Sequence, residues 1–456
     1  MVRRVAAALV CISLAGCGAR TGLADAAGDA GAADADASAQ ADAGRDADAA
    51  LPPVDAKADV PAVQSGCEAA LQPGAPTPMP GYCSTRAHLS PFFAPTAPKL
   101  AWQQPLPLQT PYEVIELVVD ASGRIYATLD TAVSGWVLPD TLVALDQDGT
   151  LLWTQPYGDK VPAALFLAGD GLLRMRLSET PPVLAVIASD GTLKDKLTLP
   201  DTQRHGFAVG RDGTLYTALW DSTTSTRVAR LAADATVLWA SESFERCGVA
   251  TSPVMLGLGD LAVIGISASS AGSDCSSLVT RLLAWDASGN KVWMRDLPGF
   301  LVHNPAVGTD GAVRATYVPG AEAQVHLALV DASGDVAWDV ELPGTAVNVW
   351  GSPVVVTLGG TAIVRTSGSI VAVAPNGELL WTIDNDPMLP YGAFADPGGQ
   401  LIVTGHSIVS YRHTTGEQYW EVEGLSGPVV MGPDRSVVGT IWQAGGELSI
   451  ALARNP

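Results

Sequence analysis

The sequence predicts an all-β chain, an eight-bladed ring of four-stranded antiparallel sheets (a β-propeller), preceded by a disordered tether. Three observations predict it. A glycine stands four residues before a tryptophan five times, as "GTLLW" ending at Trp153, "GNKVW" at Trp293, "GDVAW" at Trp338, "GELLW" at Trp381 and "GEQYW" at Trp420. The ladder Trp102, Trp153, Trp239, Trp293, Trp338, Trp381, Trp420 has one double-length gap, and in its middle Asp195 follows Gly191 at the same spacing in "SDGTLKDK". The interval is then roughly 45 residues throughout, the length of one four-stranded blade. Inside each interval, runs such as "GFAVGRDGTLYTALW" and "NPAVGTDGAVRATYV" alternate apolar and polar residues around Asp/Gly turns, the pattern of antiparallel strands.

Residues 1–16 read as a leader. Arg3 and Arg4 precede the apolar "VAAALVCISL", which is too short to span a bilayer. Leu14-Ala15-Gly16-Cys17 resembles the lipobox of bacterial lipoproteins. That resemblance implies cleavage before Cys17, acyl chains on Cys17 and a membrane anchor, since several chains hold where one binds marginally. Gly18, in place of aspartate, implies by the same resemblance sorting to the outer membrane, on its periplasmic or cell-surface side. Residues 17–64 are rich in Ala, Asp and Gly and lack aromatics, so they cannot bury enough apolar surface to order themselves. Such a tether spans about 40 Å as a flexible coil.

Residues 65–98 form a Pro-rich loop carrying Cys67 and Cys83. With Cys247 and Cys275 they make an even number of thiols in an exported chain, which favours two disulfides. Local pairing, Cys67 with Cys83 and Cys247 with Cys275, is preferred over the other two connectivities. Cys247 precedes and Cys275 follows a hairpin that turns at Gly257–Asp260. The spacings are unlike zinc knuckles.

The propeller is expected over 99–456, with seven blades as the alternative if the Trp153–Trp239 stretch is an insertion. The glycine is expected where a tight turn needs positive φ, before the last strand of each blade. The tryptophans are read as structural, packing across to the neighbouring blade. After Trp420 only three strand-like runs remain, "GPVVMGPD", "RSVVGTIWQ" and "LSIALAR", whereas "PKLAWQQPLP" around Trp102 is a last strand without a blade. The N-terminal strand is therefore expected to complete the final sheet and remove its open edge. The chain from Lys99 onward is expected to suffice for a stable propeller.

The units "LVALDQDGTLLW", "IVAVAPNGELLW" and "LLAWDASGNKVW" resemble the PQQ-like repeat, over roughly residues 99–456. That superfamily includes quinoprotein dehydrogenases and the propeller lipoprotein of the outer-membrane β-barrel assembly machinery. The resemblance implies the propeller fold and tryptophans that dock between blades. The lipobox and blade count suit the second group better.

The net charge of −21 becomes −23 once Arg3 and Arg4 leave with the leader, which argues against nucleic-acid binding. A quinoprotein would, by resemblance, need PQQ with a calcium site and often a vicinal disulfide, and no adjacent cysteine pair exists. "DASG" and "DQDG" lack the later ligands of an EF-hand loop and read as turns. His88, His205, His303, His326, His406 and His413 are scattered, and no hydrolase, zincin or phosphate-loop motif is present. The expectation is a non-catalytic protein- or glycan-binding scaffold without cofactor or metal. A PQQ-dependent or other redox enzyme and an outer-membrane assembly factor are the alternatives. The "TAVSGWVLPD" insertion and the Cys247–Cys275 blade are the candidate binding elements.

Overall fold

The computed structural model describes residues 71–456, apart from 80–87, 107–112, 131–139, 159–161, 201–205, 221–224, 248–250, 270–276, 321–322, 346–352, 385–392, 443–447 and positions 74, 76, 78, 406 and 433. All belong to the compact unit Val60–Pro456. The leader, the tether, Cys17, Cys67, Cys83, Cys275, His205 and His406 lie outside the described residues, as does nearly all of the "TAVSGWVLPD" insertion.

Eight antiparallel sheets follow one another along the chain, and seven of them are built from consecutive strands in sequence order. Blade 1 consists of Glu113–Val119, Ile125–Asp130, Asp140–Leu145 and Leu151–Gly158. Blades 2 to 7 occupy 162–198, 208–240, 255–298, 300–345, 355–384 and 393–423. Blade 8 takes three strands from 426–454 and its outermost strand from Lys99–Pro105, which pairs with Leu448–Arg454 from Lys99↔Arg454 to Pro105↔Ser449. The innermost strand of blade 8 lies beside that of blade 1, so the ring closes, with eight blades and the N-terminal strand as its clasp.

The burial pattern follows from this packing. Middle strands such as Val183–Ile187 are buried along their whole length because both faces meet a neighbouring blade. Outermost strands alternate, as in Leu379–Asp384. The apolar core is accordingly a set of clusters between blades: Val143 and Leu145 of blade 1 pack with Ile450 and Leu452 of blade 8, and Ile264 of blade 4 packs with Tyr216 of blade 3.

The turn before each outermost strand is a built unit. In blade 1, Gly149 N–H donates to Asp146 O, Asp146 N–H donates to Thr150 O, and Asp146 Oδ1 accepts the amides of Asp148 and Thr150. The ladder shifts by one residue there, between Ala144 and Leu145. This is a type I turn with a glycine bulge. The "DASG" turns at Asp286 and Asp331 repeat the pattern.

One difference from the sequence reading matters. The segment before Lys99 is packed onto the blades where it is described. Leu71, Met79, Leu89 and Ala94 are buried. Leu71 bridges to Ala168 of blade 2 and Thr77 to Val119 of blade 1, Thr77 Oγ1 donates to Met431 O of blade 8, and Leu89 bridges to Ala395 of blade 7. These partners all lie at the same ends of the innermost strands, so the segment crosses four blades on one face. Asp396 Oδ2 accepts Ala94 N–H at 2.8 Å, and burial raises the pKa of this carboxyl. The chain from Lys99 alone would lack these contacts. Composition misled here, because a Pro-rich stretch without period-two alternation gives no signal for packing residue by residue along an existing surface.

Candidate functional site

The junctions between blades carry the most specific chemistry of the described residues. Each outermost strand holds one ladder residue, and each indole reaches the turn of the next blade. Trp102 Nε1 donates to Gln147 O, Trp153 to Ser189 O, Trp239 to Ala287 O, Trp293 to Ala332 O, Trp338 to Pro375 O and Trp381 to His413 O, at 2.7 to 3.1 Å. The ring lies on the glycine of that turn. A Cβ added to Gly149, Gly289 or Gly334 would sit 2.6, 2.8 or 2.7 Å from the indole of Trp102, Trp239 or Trp293. The glycine four residues before a tryptophan therefore serves the tryptophan of the preceding blade. The turn needs its positive φ and the incoming ring needs the missing side chain.

Trp420 meets the break in the chain. Its Nε1 donates to Pro95 O at 2.8 Å and to Gln400 Oε1 at 3.0 Å. Asn455, one residue past the last strand, uses its side-chain oxygen to accept the amides of Thr96 and Ala97. In blades 1, 4 and 5 an aspartate does this within one continuous turn. Here the two chain ends build that turn between them.

The junction between blades 2 and 3 is the exception. Asp195 pairs with Val186 in the register where Trp153 pairs with Ala144 and Trp293 with Ala284. In the next turn the glycine is replaced by Ala235, which holds positive φ (69°). The two departures belong together, since without a ring to receive, the turn tolerates a methyl group. A cavity of about 300 Å³ opens at this junction, lined by Phe166, Val209 and Leu215 and edged by Arg174, Asp170 and Asp212. Arg174 donates to both oxygens of Asp170, at 2.9 and 2.7 Å, and this pairing lowers the pKa of that carboxyl.

At the opposite ends of the strands, His303 is fully enclosed. Its Nδ1 lies 2.8 Å from Thr316 Oγ1, and its Nε2 has no partner among the described residues. Burial, with repulsion from Arg365, lowers its pKa to about 4. Between pH 6.5 and 4 the unfolded chain binds a proton that the folded chain refuses, so stability should fall as pH drops through this window and be unaffected by this group above it. His303 alone should contribute a slope of up to about 1.4 kcal/mol per pH unit. In urea unfolding between pH 7 and 4.5, His303→Asn, which keeps a group facing Thr316, should show a shallower loss than the wild type. Parallel pH dependences would exclude His303 as the source.

Cys247 is buried and disulfide-bonded, and its amide donates to Ser267 O. Among the described residues no three His, Cys, Asp or Glu side chains converge to hold a metal ion. Asp146, Asp286 and Asp331 are occupied by their own turns, and Asp310 pairs with the buried Arg314. None of the described helices is long and apolar enough to cross a membrane.

Comparison with known proteins agrees with this architecture. The family profile "Outer membrane protein assembly factor BamB" matches residues 224–384. No curated protein matches the chain. Among solved structures, quinohemoprotein alcohol dehydrogenase ADHIIG from Pseudomonas putida HK5 is similar at 13% identity and TM-score 0.58, covering 84% of this chain and 80% of that one. Quinohemoprotein alcohol dehydrogenase from Comamonas testosteroni is similar at 11% and 0.58, over 87% and 82%. BamB from Moraxella catarrhalis is similar at 13% and 0.48, over 78% and 99%. Likeness at such identities concerns the fold alone. The chain is an eight-bladed β-propeller, and residues 224–384 of it match the BamB profile.

The sequence singled out the tryptophans but not what receives them. Asp195 marks the missing tryptophan along the chain, and Ala235 stands four residues before Trp239 where five other units have glycine, but nothing local connects the two. The signal was present, because the one unit that lacks tryptophan precedes a unit that lacks the glycine. Arg174, Asp170 and His303 gave no linear signal.

Proposed function

We propose that this protein is a lipid-anchored, non-catalytic scaffold of the cell envelope whose propeller binds protein or glycan partners. The observation that carries the reading is the closed ring: eight blades, with an indole bridging seven of their eight junctions, and turn carboxylates engaged by their own backbone. Such a ring is a stiff platform for loops. The match to the BamB profile favours a second reading of the same kind, a part in assembling outer-membrane proteins. Crosslinking in the native envelope followed by mass spectrometry tests both. Capture of β-barrel assembly components supports the second reading, and capture of other surface or periplasmic partners supports the first alone. A quinone absorption spectrum and alcohol-dependent dye reduction after addition of PQQ and calcium would replace both with a redox enzyme.

The anchor is proposed from the leader. Cys17→Ala should move most of the protein from the membrane fraction to the soluble fraction, because acyl chains on Cys17 are the attachment. Retention of the variant on membranes after a salt wash would remove the lipoprotein reading.

A further inference from the structure

The open junction between blades 2 and 3 has the parts of a recognition site for a ring. Three cross-strand rows show what has changed. In blade 1 the row is Tyr126, Ala144, Trp153, and in blade 3 it is Tyr216, Arg230, Trp239. In each, the tyrosine packs against the tryptophan of its own blade, with ring centroids 6.0 and 6.1 Å apart. In blade 2 the row is Arg174, Val186, Asp195. Both rings are gone, and a guanidinium stands at the tyrosine position.

We propose that this cleft binds an aromatic side chain, tryptophan or tyrosine, presented by a partner polypeptide. The proposal rests on the scaffold reading and names the chemistry of its partner. Asp170 holds the Arg174 guanidinium through two parallel bonds, which fixes its plane. A planar cation lining an apolar cleft attracts the face of an aromatic ring. The chain already uses this pairing one blade on, where Arg230 lies 5.5 Å over the Tyr216 ring. Phe166, Val209 and Leu215 supply the apolar wall. Ala233 lies two residues before Ala235, as the indole acceptors Gln147, Ser189, Ala287, Ala332 and Pro375 lie two residues before their glycines. Its carbonyl is placed to accept an N–H or O–H from the incoming ring. The Ala235 methyl prevents a ring from lying flat on this turn, so the guest stacks on Arg174 instead. At the seven other junctions the chain supplies the indole itself. Here the slot is left for one from outside.

The test uses the full-length protein and two probes, N-acetyl-tryptophanamide and N-acetyl-leucinamide, with binding followed by calorimetry and ligand-observed NMR. The tryptophan probe should bind with a Kd on the order of 1 mM, as suits a single side chain, and the leucine probe about tenfold more weakly. Asp195→Trp combined with Ala235→Gly rebuilds the internal indole and should weaken the tryptophan probe at least about tenfold by occupying its slot. Arg174→Met, which leaves the backbone and wall intact, should weaken it about fivefold or more. Equal binding of the two probes, or unchanged binding in the rebuilt variant, would overturn the proposal. Envelope crosslinking separates this from the broader reading. A partner captured by the wild type and lost from the rebuilt variant supports the slot, whereas equal capture by both overturns it and leaves the scaffold standing. If the wild type captures no partner yet holds the tryptophan probe, the ring site stands and the scaffold reading falls.

Discussion

Removal of residues 1–106 is expected to yield a chain that aggregates, whereas removal of residues 1–66 leaves a soluble propeller. The shorter deletion keeps every described residue and both Cys67 and Cys83. The longer one strips Lys99–Pro105 from Leu448–Arg454 and bares an edge along an apolar strand buried from Leu448 to Ala453. It also removes Trp102 from the turn at Gly149 and the buried Leu71, Met79, Leu89 and Leu106. Loss of one large core side chain costs about 3–5 kcal/mol, and several are lost together here, against a total stability of about 5–15 kcal/mol. An unpaired apolar edge then recruits other chains. Size-exclusion chromatography and thermal unfolding of the two variants check this, and similar monomeric behaviour would contradict the clasp. Removal of residues 1–98 should fall between them, since it keeps the strand and loses the packed segment before it.

Gly334→Ala is expected to destabilise the protein by roughly 2–5 kcal/mol, a large effect for one methyl group. About 1–2 kcal/mol comes from holding alanine at φ +90°. The rest comes from placing Cβ 2.7 Å from Cγ of the Trp293 indole, since overpacking costs about 1–3 kcal/mol. The two parts are separable. In a Trp293→Ala background, itself costing about 3–5 kcal/mol, the ring is absent and Gly334→Ala should retain only its backbone part. Ala235→Gly should change stability by less than about 1 kcal/mol, because relief of the left-handed alanine is offset by greater freedom of the unfolded chain. Urea unfolding of the four-variant cycle measures the coupling. Strict additivity would show that the glycine and the indole do not share a contact.

Much of the fold was legible because the units recur. Period-two runs broken by Asp/Gly turns specify strands locally, and repetition at about 45 residues leaves few ways to bury the faces other than a ring. The orphan strand around Trp102 and the missing strand after Leu448–Arg454 each pointed to the other, so even the closure could be read along the chain. The described site residues were less legible. Arg174 and Asp170 are four residues apart, a spacing common to any hairpin, and nothing local says that the next blade leaves them a cleft. His303 reads as one scattered histidine until neighbouring elements enclose it.

The sequence by itself determined the strands, the turns and the strand that closes the ring, and favoured eight blades over seven, since these depend on alternation, on turn chemistry and on counting. Only the tertiary structure decided which glycine serves which tryptophan. A strand cannot record in its own pattern what the adjacent blade presses against it. The partner of Trp293 is Gly334 of the following blade, and the glycine four residues before Trp293 receives Trp239 instead. The same reason hid the open junction. Asp195 and Ala235 lie on different blades, and their meaning as one vacant slot arises where the two blades face each other.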